Sequence, residues 1–211
     1  MELDSGSRRS GALLVAGAGL TAAVAVGVQA FVIPTTDVSD KVWSYPWSPD
    51  TLVPVSLGYA VLHLVVLAGL RGFLRSGVTG SGRASRLGGS ALLAGTALLA
   101  VCELASIPIR HERMHTHSTD LVGALFGLAV LASLIGLFAL SRTTIRTWHG
   151  WRRWTPLAAG IASSPLVVLG STHYLATGVA LYGVGLAVMG LALRTDGANA
   201  APVGRERALI A

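Results

Sequence analysis

The chain has little cysteine and little charge, and each scarcity narrows its class. Cys102 is the one cysteine among 211 residues, so the chain cannot form an internal disulfide and lacks the thiols of a cysteine-based metal site. Charged residues make up 12% of the sequence, hydrophobic residues 52%, and the mean hydropathy is +0.64. Soluble domains carry about 25% charged residues. The composition therefore excludes a soluble globular domain and predicts a multi-pass membrane protein.

Long apolar runs occupy most of the length. A helix crosses a bilayer core of about 30 Å with roughly 20 apolar residues. The sequence contains six runs of about this length: Gly11 to Ile33, Val53 to Leu70, Leu87 to Ile109, Leu121 to Leu140, Pro156 to Thr172 and Leu175 to Leu193. We predict an all-α integral membrane bundle of six transmembrane helices over residues 11–193. A cytoplasmic tail of residues 1–10 precedes it, and a disordered cytoplasmic tail of residues 194–211 follows.

The first run has a second interpretation as an export signal, because arginines precede it and small residues follow it. Its 23 residues exceed the usual apolar core of such a signal, which is about 7 to 15 residues long. A retained membrane anchor is therefore expected.

Basic residues are concentrated in alternate gaps between the runs. Lys and Arg in short loops resist translocation and mark the cytoplasmic side. Thirteen of the sixteen basic residues fall on one side of the bundle: Arg8, Arg9, Arg71, Arg75, Arg83, Arg86, Arg142, Arg146, Arg152, Arg153, Arg194, Arg205 and Arg207. The other side has Lys41, Arg110 and Arg113. This pattern predicts both termini in the cytoplasm. The net charge of +6 then reflects orientation and anionic lipid, and no nucleic acid partner is expected.

Small and aromatic residues indicate packing and anchoring surfaces. Two sets of small residues at helical spacing are predicted to form packing faces, namely Gly19 with Ala23 and Gly27, and Gly123 with Gly127. Two aromatic groups are predicted to lie at the membrane surfaces: Trp43, Tyr45 and Trp47 outside, and Trp148, Trp151 and Trp154 inside. The outer group is dense enough to form an interfacial segment over the mouth of the bundle.

Polar side chains inside the apolar runs lie mostly towards the non-cytoplasmic end. Spacings of three and four residues place two sets on one helical face each: Ser56, Tyr59 and His63 on the second run, and Glu103, Ser106 and Arg110 on the third. An ionisable group in hydrocarbon costs a few kcal/mol or more unless it is paired or wetted, so such residues indicate a functional site. We predict that Glu103 pairs with His63, or with Arg110, in an outward-facing polar pocket.

Proton transfer is the chemistry that this pocket favours. Because desolvation favours the uncharged form of a carboxyl group, Glu103 is expected to donate a proton to a lipophilic substrate with His63 as its partner. Six residues are predicted to bind the substrate: Tyr59, Ser56, Ser106, Arg110, Trp47 and His173. Aromatic faces among them would stabilise a developing cation. By analogy of environment, the prediction is an acid–base enzyme on a prenyl- or terpenoid-like substrate, such as a membrane-bound terpene cyclase, with no cofactor.

Three other functions remain open. The spacing His111-Glu112-x-x-His115 would, on a helix, place two zinc ligands on one face with Glu112 as the general base of a hydrolase. His63 and Glu103 would otherwise be steps in a proton or cation relay of a transporter. In the third alternative the same polar residues form a buried network that fixes helix register in a non-catalytic scaffold.

The segment from Trp43 to Pro46, the helices of His63 and Glu103, and the segment from Trp148 to Trp154 together resemble small actinobacterial multi-pass membrane proteins. The resemblance covers most of the chain. It implies a multi-pass helical bundle in the lipid bilayer of a bacterial plasma membrane, and it brings no activity with it.

Overall fold

The computed structural model describes residues 5–170 and 173–196, and most of these residues are helical. The first helix, α1 (Ser5–Gly27), continues as a π-helical turn at Val28–Val32 and a 3₁₀ turn at Ile33–Thr35. The next three helices are α2 (Pro49–Arg75), α3 (Arg83–Ser106) and α4 (His117–Thr147). A 3₁₀ turn at Gly150–Trp154 precedes α5 (Thr155–Ser163), α6 (Pro165–Leu169) and α7 (Leu175–Asp196).

Five helices of the described chain are long and apolar enough to cross a membrane, namely α1 with its extension, α2, α3, α4 and α7. The predicted fifth crossing is not confirmed, because it is split into α5 and α6 at Ser164. Pro165 has no N–H to donate to the Ile161 carbonyl, which instead accepts from the Ser164 N–H at 3.2 Å. The two pieces have nine and five residues, whereas a crossing needs roughly 20.

The predicted tails also differ from the structure where they can be compared. Residues 5–10 are part of α1, so the first helix begins before the apolar run. At the other end α7 continues to Asp196, three residues beyond the run. Residues 197–211, with Arg205 and Arg207, lie outside the described part of the chain, and so do Ser171 and Thr172.

The helices pack side by side in a closed ring. The order around the ring is α1, α2, α3, α4, α5 and α7, and α7 returns to α1. The pairs α1–α7 and α3–α4 have the most extensive contacts. We call the end near the α2–α3 loop (76–82) the inner end, and the end near the α1–α2 and α3–α4 loops (36–48 and 107–116) the outer end.

Glycines allow the backbones of the two tightest pairs to touch. A Cβ added at Gly190 on α7 would lie 2.8 Å from the carbonyl oxygen of Gly11 on α1. Likewise, a Cβ at Gly136 on α4 would lie 2.7 Å from the carbonyl oxygen of Gly88 on α3. Neither site has room for a methyl group. The distance between the two helices of each pair is therefore set by direct contact of their backbones.

The predicted small-residue faces do not form these contacts. A Cβ added at Gly19, Gly27, Gly123 or Gly127 would meet nothing within 4 Å, and Ala23 is exposed. Those faces point away from the ring, so their assignment as packing faces within the chain was wrong. The spacing of small residues indicates a smooth face but contains no information about which direction that face takes in the bundle.

Large apolar side chains fill the inner half of the ring. Those almost completely buried are Leu14, Leu70, Phe73, Leu92, Leu137, Leu140, Leu186, Met189 and Leu193. Trp148 belongs to this core, because it is 5% exposed and its ring centroid lies 5.9 Å from that of Phe73. Its prediction as a surface anchor was therefore wrong, whereas Trp151 and Trp154 are exposed at the inner end.

Replacing Gly136 by alanine is expected to destabilise the protein by about 1–3 kcal/mol, since the methyl group would press on the backbone of α3. The matched change, Gly127→Ala on the same helix, meets open space and is expected to be neutral or slightly stabilising. Unfolding of both variants in detergent measures the difference. Equal effects of the two substitutions would contradict the α3–α4 packing described here.

Candidate functional site

Two loops are joined over the outer end of the ring. The backbone N–H of Trp43 donates to the Glu112 carbonyl oxygen at 2.9 Å, and the Met114 N–H donates to the Lys41 carbonyl oxygen at 2.8 Å. These reciprocal bonds form a short antiparallel bridge between the α1–α2 loop and the α3–α4 loop. We call residues 36–48 and 107–116 together the outer cover.

His173 joins the cover to the residues that precede α7. Its Nδ1 lies 3.2 Å from the Tyr45 hydroxyl, and its Nε2 lies 3.9 Å from a carboxylate oxygen of Asp40. The His173 side chain is 63% exposed. The structure thus places His173 on the outer surface of the cover, and its predicted contact with substrate stays a prediction.

Below the cover, a histidine of α2 meets a glutamate of α3. The Nε2 atom of His63 lies 3.9 Å from the Oε1 atom of Glu103, and the two side chains are 8% and 18% exposed. His63 lies midway along α2, on the face that also buries Ala60 and Val66. The separation is longer than a hydrogen bond, so the two side chains are neighbours without a direct bond between them.

Three further residues predicted at the site lie on the same two helical faces. Ser56 is 1% exposed and Ser106 is 4% exposed, and the Ser106 hydroxyl donates to the Cys102 carbonyl oxygen at 2.9 Å. Tyr59 is half-buried and precedes His63 by about one turn of α2. The face spacing read from the sequence therefore corresponds to the observed arrangement of these side chains.

The structure places Arg110 and Trp47 at the outer end, and their predicted contact with substrate stays a prediction. The predicted alternative, an Arg110–Glu103 ion pair, does not form, because α3 ends at Ser106 and Arg110 follows in a turn. The Arg110 Nη1 atom instead donates to the Ile107 carbonyl oxygen at 2.9 Å. Trp47 is half-buried in the cover, and within the described chain no hydrogen bond or ion pair links it to Glu103 or His63.

Several buried polar atoms near the outer end have no hydrogen-bond partner among the described residues. They are the hydroxyl oxygens of Ser44 and Ser56 and the Nε atom of Arg110. Folded proteins satisfy nearly all buried polar atoms, and exceptions occur where water or a ligand binds. Sequence reasoning did not single out Ser44, since a serine between two aromatic residues has no signal of its own.

Hydroxyls of three helices come close together, although that of Tyr182 makes no hydrogen bond to a described residue. The Tyr182 hydroxyl of α7 lies beside those of Thr96 on α3 and Ser133 on α4. Thr96 and Ser133 also donate to carbonyl oxygens of their own helices, each at 2.9 Å. The largest buried side chains of the inner half are apolar, and the buried polar side chains described there are those of serines and threonines.

The His111-Glu112-x-x-His115 segment is not helical, whereas the predicted zinc site requires a helix there. These residues are in turns and a bend, because Pro108 cannot continue α3. His115 has a positive φ of 65°, and its Nδ1 lies 3.7 Å from a carboxylate oxygen of Asp120. Over the described residues, no group of three or more His, Cys, Asp or Glu side chains is arranged to hold a metal.

Glu112 is part of a local hydrogen-bond network in the cover. Its Oε2 atom accepts from the hydroxyls of Ser118 and Thr116, the latter at 2.7 Å. These bonds, the Ser118 bond first, hold the pKa of Glu112 below its ordinary value. A general base works best with a pKa near the working pH, so the network disfavours the catalytic role predicted for Glu112.

Fold and site together define an all-α, membrane-protein-like helical bundle with a carboxyl–imidazole pair in its outer half. No protein-family model, curated protein or solved structure matches this chain.

Replacing Ser118 by alanine is expected to raise the pKa of Glu112 towards its ordinary value, because the first of the two hydroxyl donors is lost. Since the folded-state pKa is lowered, these bonds favour the folded loop above the ordinary pKa, and the contribution disappears as the pH falls through the lowered value. Carboxyl-carbon NMR titration measures the change. Ser39→Ala in the other loop is the control, and an unchanged Glu112 titration in Ser118→Ala would refute the network.

Proposed function

We propose that this chain is an intramembrane acid–base enzyme acting on a lipophilic, prenyl- or terpenoid-like substrate, as a membrane-bound terpene cyclase does. The observation that carries the proposal is the 3.9 Å separation of Glu103 and His63 on adjoining helices. The expected setting is a bacterial plasma membrane with both termini in the cytoplasm, which the arginine distribution favours.

The surroundings of the pair suit a substrate with an apolar body and a polar end. The ring is surrounded by exposed apolar side chains, among them Leu57, Val61 and Leu104, so a lipophilic molecule would reach it through the bilayer. The unpartnered polar atoms of Ser56 and Arg110 offer hydrogen bonds to its polar end. The apolar inner half keeps bulk water away from a cationic intermediate.

The proposed reaction is redox-neutral and needs no cofactor. The protonated carboxyl of Glu103 gives its proton to one carbon of a substrate double bond, whose electron pair forms the new C–H bond. The adjacent carbon becomes a cation, which a second double bond of the substrate attacks to close a ring. The cyclised cation loses a proton to His63, and the imidazolium returns it to Glu103. In this scheme the ring of Tyr59 stabilises the cation.

A non-catalytic scaffold is the second candidate. The neighbouring hydroxyls of Tyr182, Thr96 and Ser133 favour it. Buried polar side chains of three helices lie together there, which supports a role for such groups in holding helices in register. If Glu103 and His63 served the same purpose, their loss would change stability alone. A transporter is less favoured, because the buried polar residues described in the inner half are serines and threonines, with no carboxyl or imidazole group among them to continue a proton relay.

The test is the isosteric variant Glu103→Gln in purified protein, supplied with acyclic prenyl alcohols and alkenes in deuterated buffer. Wild type is expected to incorporate deuterium into a cyclised or isomerised product. Glu103→Gln is expected to lose at least about a hundredfold in rate, because the proton donor is removed. Mass spectrometry of the extracted products measures both outcomes.

The matched control is Thr96→Val, which removes a buried hydroxyl on the same helix and is expected to lower stability while turnover continues. Deuterium incorporation by Glu103→Gln at the wild-type rate would overturn the proposal. So would a wild-type protein that leaves every probe unchanged while Glu103→Gln changes only the unfolding temperature, and this second result is the one that a scaffold predicts.

A further inference from the structure

A concave surface lies at the inner end of the ring, on the side opposite the outer cover. It is a cleft of about 340 Å³ between the end of α2 and the start of α3. Leu74 and Leu93 form its apolar wall, and Thr79, Ser85 and Arg86 supply polar groups. None of these residues takes part in the carboxyl–imidazole site.

The start of α3 has an excess of positive charge at this cleft. Its first turn contains no acidic residue, and Gly82 at the N-cap provides no side-chain hydrogen bond. Arg83 and Arg86 add two full positive charges to an end that already has the positive pole of the helix dipole. The Arg86 N–H is the first in α3 to donate to a carbonyl oxygen of the helix turn, that of Gly82. The N–H groups before it therefore have no partner within the helix. An anion at this position would neutralise both sources of charge.

Thr79 indicates independently that the cleft receives a hydrogen-bonding group. It is 1% exposed and lines the cleft, yet its hydroxyl makes no hydrogen bond to another described residue. The neighbouring loop is held rigidly, because Ser85 donates to the Gly80 carbonyl oxygen at 2.9 Å and Gly80 has a φ of +69°. Thr79 is therefore held against the cleft with an unused donor.

We propose that this cleft binds the phosphate group of an anionic membrane lipid. Arg86, the free N–H groups of α3 and the Thr79 hydroxyl would hold the phosphate oxygens. A lipid is favoured over free phosphate because the wall of Leu74 and Leu93 continues the apolar surface of α3, where Leu87 is 69% exposed. The cleft also lies at the arginine-rich end, where the sequence predicts the cytoplasmic headgroup layer.

The experiment measures lipid retention by native mass spectrometry of the full chain in detergent, after titration with phosphatidylglycerol or phosphatidylcholine. Wild type is expected to retain phosphatidylglycerol selectively. Arg86→Gln should weaken retention about fivefold, the contribution of one basic residue near a charged headgroup. Thr79→Val should weaken it about threefold through the lost hydrogen bond. Unfolding temperatures verify that both variants are folded.

Arg9→Gln is the matched control, because it removes one exposed charge at the same end from α1, a helix without contact to α3. Its retention should equal that of wild type. Equal losses in Arg9→Gln and Arg86→Gln would overturn the proposal by showing diffuse attraction to the basic end. A competition experiment with inorganic phosphate distinguishes the lipid from a free anion. Complete displacement of phosphatidylglycerol by millimolar phosphate would identify a free anion as the ligand and reject the lipid.

Discussion

A carboxyl group and an imidazole 3.9 Å apart between two neighbouring helices set the requirements for the whole outer half. A lone ionisable group held away from water carries a large cost, and Glu103 and His63 each have the other as an ionisable neighbour. Their partnership requires α2 and α3 to keep one register, and it requires polar surroundings on the outer side. The hydroxyls nearby and the cover above provide these surroundings.

The two halves of the ring satisfy different physical demands. In the inner half, closely approaching glycines and completely buried leucines give dense packing. In the outer half, Ser44, Ser56 and Arg110 retain unsatisfied polar atoms, and two bonded loops close the end. Dense packing below makes it possible to keep a strained and incompletely satisfied region above, which is typical of binding and catalytic sites.

Sequence periodicity predicted those features that depend on one helix at a time. Five membrane-length helices and the shared face of Ser56, Tyr59 and His63 follow from hydrophobic runs and from residue spacing. Features that depend on two elements were not accessible. The orientation of the Gly123 face and the burial of Trp148 are set by neighbouring helices, and local spacing does not identify those neighbours.

Helix ends were the other place where the structure departs from the expectations, and a proline lies near each of them. Pro108 follows the end of α3 and turns Arg110 away from Glu103, and Pro165 divides the fifth apolar run. Hydropathy gives no signal at such points, because the residues on both sides of a break are equally apolar. A proline in the sequence indicates that a helix breaks nearby. It does not indicate where the side chains after the break lie.

The most direct test of the central claim is a distance measured in a lipid bilayer. Solid-state NMR of protein labelled with ¹³C-glutamate and ¹⁵N-histidine detects the dipolar coupling between the Glu103 carboxyl carbon and the His63 Nε2 atom, identified by its loss in Glu103→Gln. A coupling that corresponds to the 3.9 Å oxygen–nitrogen separation is the predicted result. A coupling too weak to detect, with the protein folded in the bilayer, would show that the two groups do not meet and would contradict the site described here.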